Sequence, residues 1–229
     1  MLNAPLKPVD LVIFDCDGVL IDSEPVSART LAETLKEAGL AMEPLDVQRE
    51  FTGMTEKQML ADLTRRGITD SAAFVGRWRE ALYAGFKREL REIEGIGALV
   101  RGLDAHKCVA SNSTIDRLDN SLGILDLWDA FAPHVFSAEM VANPKPAPDL
   151  AEHCLRTFDV APERAVFIDD STQGVRSAKA AGVFAIGFIG ESEARVDQKA
   201  TLIAAGADAV VTGVKELERL LAASMAVVG

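Results

Sequence analysis

The sequence is poor in cysteine and histidine, with only three of each among 229 residues. Cys16, Cys108 and Cys154 are odd in number and have no CxxC spacing, so the sequence predicts neither a disulfide framework nor a zinc site. The three histidines have no metal-ligand spacing either, and we interpret them as structural. A reducing, cytoplasmic setting fits this cysteine usage best.

An excess of positive charge is also absent, since 24 Lys and Arg oppose 35 Asp and Glu and give a formal net charge of −11. Nucleic acids and anionic membranes select basic surfaces, so we expect neither as a partner. No uncharged apolar run approaches the roughly 18 residues that a spanning helix needs, and we expect no signal peptide or anchor. A small ligand remains the expected partner, and monomer and homodimer both stay open.

Hydrophobic residues are plentiful at 48%, and their arrangement predicts the fold class. Short apolar runs alternate with longer helical patterns, which indicates an α/β fold with a mainly parallel sheet. Nearly all residues of these runs are apolar, as in strands that are covered on both faces. The predicted strands are Leu11–Asp15, Lys107–Ser111, Val135–Ser137, Ala165–Asp169, Val183–Phe188 and Ala209–Val211.

After the first strand the alternation stops, and three helical patterns follow one another. Ser23 is placed to cap the first, Thr55 begins a capping box before the second, and Ser71 opens the third. We therefore expect an inserted helical domain at residues 21–93 within an α/β domain formed by residues 1–20 and 94–229.

Two pairs of acidic residues lie at the ends of predicted strands. Asp15 and Asp17 share one side of the chain, and Gly18 allows a sharp turn after them. Asp169 and Asp170 end another strand, where an acidic helix cap is the simpler alternative. Carboxylates gathered at one sheet edge raise one another's pKa, so the pattern favours a bound cation. Oxygen ligands without His or Cys favour Mg²⁺ over zinc.

Two further segments predict a phosphate site. Ser111 and Asn112 end a strand before a helix, where a hydroxyl and free amides can receive anionic oxygens, although a simple helix cap has the same pattern. Lys145 lies between prolines in the segment Asn143–Pro148, which limits the freedom of the backbone and fixes the reach of the side chain.

In this order, the segments Asp15-x-Asp17-Gly18, Ser111-Asn112, Lys145 and Asp169-Asp170 resemble the four motifs of the haloacid dehalogenase superfamily of phosphohydrolases. The resemblance extends over nearly the whole chain and is closest to the sugar-phosphate phosphatase and β-phosphoglucomutase subfamily. It implies a Rossmann-like core with an α-helical cap inserted after the first motif.

The resemblance also implies the role of each residue. Asp15 would attack phosphorus and form an aspartyl-phosphate, and Asp17 would act as general acid and base. Ser111, Asn112 and Lys145 would bind the phosphoryl group. Mg²⁺ would be held by Asp15, the main-chain carbonyl of Asp17, and Asp170, with Asp169 beside it directly or through water. The loop containing Thr52, Gly53, Met54 and Thr55 resembles the family's substrate-specificity loop.

Three functions remain in competition. A Mg²⁺-dependent phosphatase acting on a small sugar, sugar-acid or glycolate phosphate is the first. A β-phosphoglucomutase-like phosphomutase is the second, but Ser27 and Glu56 stand where that family has a histidine and an arginine. A protein that binds a phosphometabolite without catalysis is the third, and the intact set of motif residues disfavours it.

Overall fold

Six parallel strands form one sheet in the order β3-β2-β1-β4-β5-β6 in the computed structural model, which describes residues 8–190 and 197–225. The predicted α/β fold with a parallel sheet is confirmed, and each strand lies within one residue of its predicted bounds. The strands are β1 (Leu11–Phe14), β2 (His106–Ser111), β3 (Val135–Ser137), β4 (Ala165–Asp169), β5 (Phe184–Ile189) and β6 (Ala209–Thr212).

The central strand β1 shows why these segments fold as buried strands. It pairs with β2 on one side and with β4 on the other, and its four residues are fully buried. Val12 and Phe14 pack into one hydrophobic cluster, whereas Leu11 and Ile13 pack into a second. The alternation of side chains along a strand thus places β1 between two apolar layers.

Helices cover both faces of the sheet, and none in the described part of the chain is long and apolar enough to cross a membrane. The helices are α1 (Glu24–Glu37), α2 (Pro44–Phe51), α3 (Glu56–Arg65), α4 (Ser71–Glu89), α5 (Ile96–Gly102), α6 (Ile115–Ile124), α7 (Trp128–Phe131), α8 (Asp149–Phe158), α9 (Thr172–Ala180), α10 (Gln198–Ala205) and α11 (Gly213–Met225).

The helical block after β1 contains four helices, so the expectation of three was wrong. The unpredicted helix is α2, which has only eight residues and buries only Val47 and Phe51. The capping box at Thr55 is confirmed, because its hydroxyl accepts from the Gln58 N–H while the Gln58 side chain accepts from the Thr55 N–H. Ser23 occupies the N-cap position of α1, but its side chain makes no capping hydrogen bond.

The chain enters and leaves this block through two adjacent segments. The Asp22 N–H donates to the Arg91 carbonyl at 2.9 Å, and the Ile93 N–H donates to the Leu20 carbonyl at 3.0 Å. These contacts hold α1–α4 beside the end of β1 where Asp15 follows. On this basis we propose the division into a core of residues 1–20 and 94–229 and a cap of residues 21–93.

Candidate active site

The side chain of Asp15 lies directly after β1 and contacts a buried lysine. The Asp15 N–H donates to the Ile168 carbonyl at 2.9 Å and continues the pairing of β1 with β4. Lys145 is 2% exposed, and its Nζ donates to Asp15 Oδ1 at 2.8 Å and to Asp169 Oδ2 at 2.7 Å. The lysine therefore joins the ends of two neighbouring strands.

Burial and charge together set the protonation of this group. Burial raises the pKa of Asp15 to about 7, with further increases from the charges of Asp169 and Asp17 and a partial decrease from the Lys145 ammonium. Burial by itself would lower the pKa of Lys145, but the two carboxylates that it contacts raise it above its ordinary value. The site thus combines a permanent ammonium with a carboxyl group whose charge needs further compensation.

A bound cation would compensate the negative charge of Asp15, and three carboxylates are placed to hold one together. Asp15, Asp169 and Asp170 each offer an oxygen atom, and these atoms all lie within 4.8 Å of one another. Gly18 has φ +77°, and a Cβ atom there would lie 2.4 Å from Asp170 Oδ2, so the turn after β1 requires glycine. A set of three carboxylates, in which the pKa of Asp15 is raised, fits a hard divalent cation.

Asp169 is fixed by the first turn of α9 as well as by Lys145. Its Oδ1 accepts from the Ser171 N–H at 2.9 Å and from Ser171 Oγ at 2.6 Å. Ser171 also caps α9 by accepting from the Gly174 N–H at 3.1 Å. A Cβ atom at Gly174 would lie 1.7 Å from the Asp169 carboxylate. The helix can approach this carboxylate so closely only because position 174 is glycine.

Asp17 faces a different set of partners from Asp15. Ser23 Oγ and Arg117 Nη2 donate to its Oδ1, the latter at 2.8 Å, and Ser113 Oγ donates to its Oδ2 at 2.7 Å. Burial would raise the pKa of Asp17, but the Arg117 charge and these hydrogen bonds lower it below its ordinary value. The Ser23 hydroxyl, predicted to cap α1, thus contacts the carboxylate instead.

The residues predicted to bind phosphate line one cavity together with these aspartates. The cavity is bounded by Asp15, Asp17, Ser111, Asn112, Lys145 and Asp170 from the strand ends, and by residues of the helical block that include Thr52, Gly53, Met54 and Thr55. Ser111 is 1% exposed, and its Oγ accepts from the Ser113 N–H at 3.1 Å. The structure therefore brings the predicted site residues together. Asp169 alone among them does not line the cavity, but it contacts Lys145 at 2.7 Å.

The site also contains polar residues that were not predicted as site residues from the sequence. Ser113, Arg117 and Gln173 line the same cavity, and each lies near the start of a helix that follows a strand. Polar residues in such first turns are usually solvated, so the local pattern does not distinguish them. The one indication in the sequence was that these residues closely follow the strands that carry Ser111 and Asp169.

The three histidines lie away from this chemistry, in agreement with their structural interpretation. His106 and His134 pack on Phe158, with ring centroids 5.3 and 4.5 Å apart, and His153 packs on Phe136 at 4.8 Å. Cys16 is fully buried in the hydrophobic core.

Comparison with known proteins decides the family of this arrangement. A model of haloacid dehalogenase-like hydrolases matches residues 12–188, which include both acidic pairs, Ser111 and Lys145. The chain belongs to the haloacid dehalogenase-like hydrolase family. The resemblance read from the four motifs is thus confirmed, and the chain is a hydrolase of this family.

Several known proteins are similar to this chain over most of their own length. A phosphorylated carbohydrates phosphatase from Thermotoga maritima is 33% identical over 208 residues, which are 89% of this chain and 94% of the relative. A 6-phosphogluconate phosphatase from Escherichia coli is 30% identical over 180 residues, which are 78% and 81% of the two chains. A solved haloacid dehalogenase-like protein of unknown function from Agrobacterium tumefaciens has 36% identity and a TM-score of 0.77, with 94% and 98% of the two chains covered.

Proposed function

We propose that this protein is a Mg²⁺-dependent phosphatase that hydrolyses a small phosphorylated metabolite, a sugar, sugar-acid or glycolate phosphate, through an aspartyl-phosphate. The contact of the buried Lys145 ammonium with Asp15, inside a cluster of three carboxylates, carries this proposal. The phosphatase names of the two curated relatives support the reaction class. A cytoplasmic location is part of the same proposal.

The carboxylate of Asp15 is the nucleophile in this proposal. Attack of one Asp15 oxygen on phosphorus expels the alcohol and forms an acyl phosphate, which water then hydrolyses. Asp15 is held on the sheet edge by β1 and faces Lys145 at 2.8 Å, so the nucleophile is positioned before the substrate arrives. The Ser111 hydroxyl and the Lys145 ammonium hold the phosphoryl oxygens, with Asn112 beside them.

Asp17 is the general acid and base of the same proposal. It would donate a proton to the leaving oxygen and later accept one from the attacking water. Asp15, the Asp17 main-chain carbonyl and Asp170 would hold Mg²⁺, with Asp169 beside it directly or through water. When bound, this ion neutralises charge on the transferring phosphoryl group.

The mutase alternative requires a second anion site in the helical block. Glu56 lines the cavity there, and its carboxylate is paired with Arg79 at 2.9 Å. Ser27 also lines the cavity, and its hydroxyl accepts from Arg117 Nη2 at 3.1 Å. Neither Glu56 nor Ser27 supplies a cationic group for a second phosphate, and this supports the phosphatase over the mutase.

Replacing the nucleophile tests the proposal directly. Asp15→Asn should lower kcat for p-nitrophenyl phosphate with Mg²⁺ by at least about 1,000-fold, because an amide cannot form the acyl phosphate at a useful rate. Thermal unfolding should show that the variant remains folded. Turnover within tenfold of wild type would show that Asp15 is not the nucleophile.

The reaction itself separates the candidate functions. Phosphorus NMR of the protein with β-glucose 1-phosphate should show inorganic phosphate accumulating. Accumulation of glucose 6-phosphate without inorganic phosphate would identify a mutase. Binding without any turnover, across a panel of sugar, sugar-acid and glycolate phosphates, would identify a non-catalytic protein.

A further inference from the structure

The carbonyl of Gly53 is bound by side chains from the other side of the cavity. It accepts from Asn112 Nδ2 at 3.0 Å, and the carboxamide nitrogen of Gln173 lies 2.9 Å from it in the orientation that donates. Gly53 has φ +80°, and a Cβ atom there would lie 3.1 Å from the Gln173 carboxamide. The loop around Gly53 therefore lies so close to Gln173 that a side chain at position 53 would be crowded.

The same two carboxamides hold the main chain of Lys145. Asn112 Oδ1 accepts from the Lys145 N–H at 3.0 Å, and Asn112 Nδ2 lies 3.2 Å from the Lys145 carbonyl. The Gln173 nitrogen lies 3.3 Å from that carbonyl. We call Asn112 and Gln173 together the carboxamide clamp.

The clamp spans the strand that carries the nucleophile. Asn112 follows β2 and Gln173 lies in the first turn of α9 after β4, and these strands flank β1. The two carbonyls that share the clamp therefore belong to a loop of the helical block and to the residue whose ammonium contacts Asp15. A displacement of the loop removes an acceptor from both carboxamides, and these carboxamides also fix the Lys145 backbone.

We propose that Gln173, acting with Asn112, is a positioning residue that couples docking of the loop Thr52–Thr55 to the placement of Lys145. The proposal rests on the proposed function, in which Lys145 holds the phosphoryl group. Two events that share one set of hydrogen bonds strengthen each other by the same factor. A bound phosphate must then protect the loop, and a docked loop must tighten phosphate binding.

Gln173→Met tests this coupling because methionine keeps the length of the side chain and removes its hydrogen bonds. We expect inorganic phosphate, measured by calorimetry with Mg²⁺ present, to bind about 3- to 10-fold more weakly, which corresponds to the loss of about one neutral hydrogen bond. Gln173→Glu should bind phosphate more weakly still, since its carboxylate would face two carbonyl oxygens. Thr172→Val, at the preceding position of α9, is the matched control and should bind phosphate like wild type.

Amide hydrogen exchange of residues 52–55 supplies the second measurement. In the wild type, saturating phosphate should slow exchange in this loop, and in Gln173→Met the slowing should shrink by the same factor as the phosphate affinity. A purely structural role for Gln173 would change exchange across α9 without changing the effect of phosphate on the loop. Equal phosphate affinity in the wild type and Gln173→Met, or loop exchange that phosphate leaves unchanged, would overturn the coupling.

Failure of the coupling can be told from failure of the proposed function. If the wild type hydrolyses p-nitrophenyl phosphate but phosphate has no effect on the loop, the proposed function is supported and the proposed coupling is wrong. Wild type that binds phosphate, protects the loop and hydrolyses none of the substrate panel keeps the clamp and loses the function.

Discussion

At the scale of single residues, Arg117 connects two parts of the site. Its Nη2 lies 2.8 Å from Asp17 Oδ1 and 3.1 Å from Ser27 Oγ on α1. Its guanidinium also lies over Phe86 of α4, 5.5 Å from the ring centroid. One side chain of α6 thus contacts the general acid and base of the proposed reaction and two helices of the helical block.

Removing that guanidinium gives a prediction with a defined pH dependence. Arg117→Met should lower the free energy of unfolding at pH 7 by about 1–3 kcal/mol, because Asp17 loses the charged partner of a largely buried pair. The folded-state pKa of Asp17 lies below the ordinary value of 3.8. The stabilisation is therefore present above that value and is lost as the pH falls through the folded-state pKa.

Urea denaturation at pH 7 and near pH 3 measures this dependence. The difference between wild type and Arg117→Met should shrink at the lower pH, and Arg117→Lys should keep part of the stability because it keeps a charge. A difference of the same size at both pH values would mean that packing on Phe86, and not the ion pair, is the main contribution.

Lys145 was predictable from the sequence, whereas Arg117 was not. Lys145 stands among prolines after a predicted strand, and the frame itself indicates a side chain with a fixed reach. Arg117 stands in the first turn of an amphipathic helix, where arginine is ordinarily solvated. Only the packing of α1 and α4 against α6 turns it toward Asp17, and that packing depends on contacts far apart in the chain.

At the scale of elements, the approach of α9 to Asp169 depends on one glycine. Gly174→Ala places a Cβ atom 1.7 Å from the Asp169 carboxylate, so either the helix or the carboxylate must move. We expect a loss of about 3 kcal/mol in the free energy of unfolding, toward the upper end for inserting one methyl group into a packed site. Phosphate affinity should fall as well, because Asp169 contacts Lys145.

Gly123 offers the matched control for this substitution. It lies in α6, and a Cβ atom there would meet nothing within 4 Å. Gly123→Ala should therefore raise stability by about 0.5–1 kcal/mol, the usual gain for alanine over glycine in a helix. Thermal unfolding of both variants checks the pair, and similar effects at the two positions would contradict the close approach.

The helical block shows where element prediction reached its limit. The strands were predictable because both of their faces are buried, which leaves continuous apolar runs in the sequence. Helix α2 was not predicted because its eight residues, with only two buried side chains, are too few to show a helical pattern in the sequence. Ser23 has the residue type of a helix cap, yet Asp17 takes its hydroxyl, and the sequence near Ser23 carries no sign of that long-range contact.

At the scale of the whole molecule, a net charge of −11 opposes the approach of an anionic substrate. The attraction is local and lies at the buried Lys145 ammonium. Raising NaCl from about 10 to about 200 mM should therefore raise kcat/KM for a phosphate monoester about twofold, because salt screens distant charges more than buried pairs. A fall in kcat/KM that sucrose at matched viscosity does not reproduce would show that attraction dominates at long range.

The order of the strands has a consequence for how the protein is made on the ribosome. Of the six strands, β1, which precedes the proposed nucleophile, is synthesised first, but its two partners are residues 106–109 and 165–168. The helices between β1 and β2 have time to fold while β1 still lacks both of its neighbouring strands. Asp15 can meet Asp169 only after most of the chain has been synthesised, so a nascent chain that stalls before β4 has no assembled carboxylate cluster and no catalytic competence.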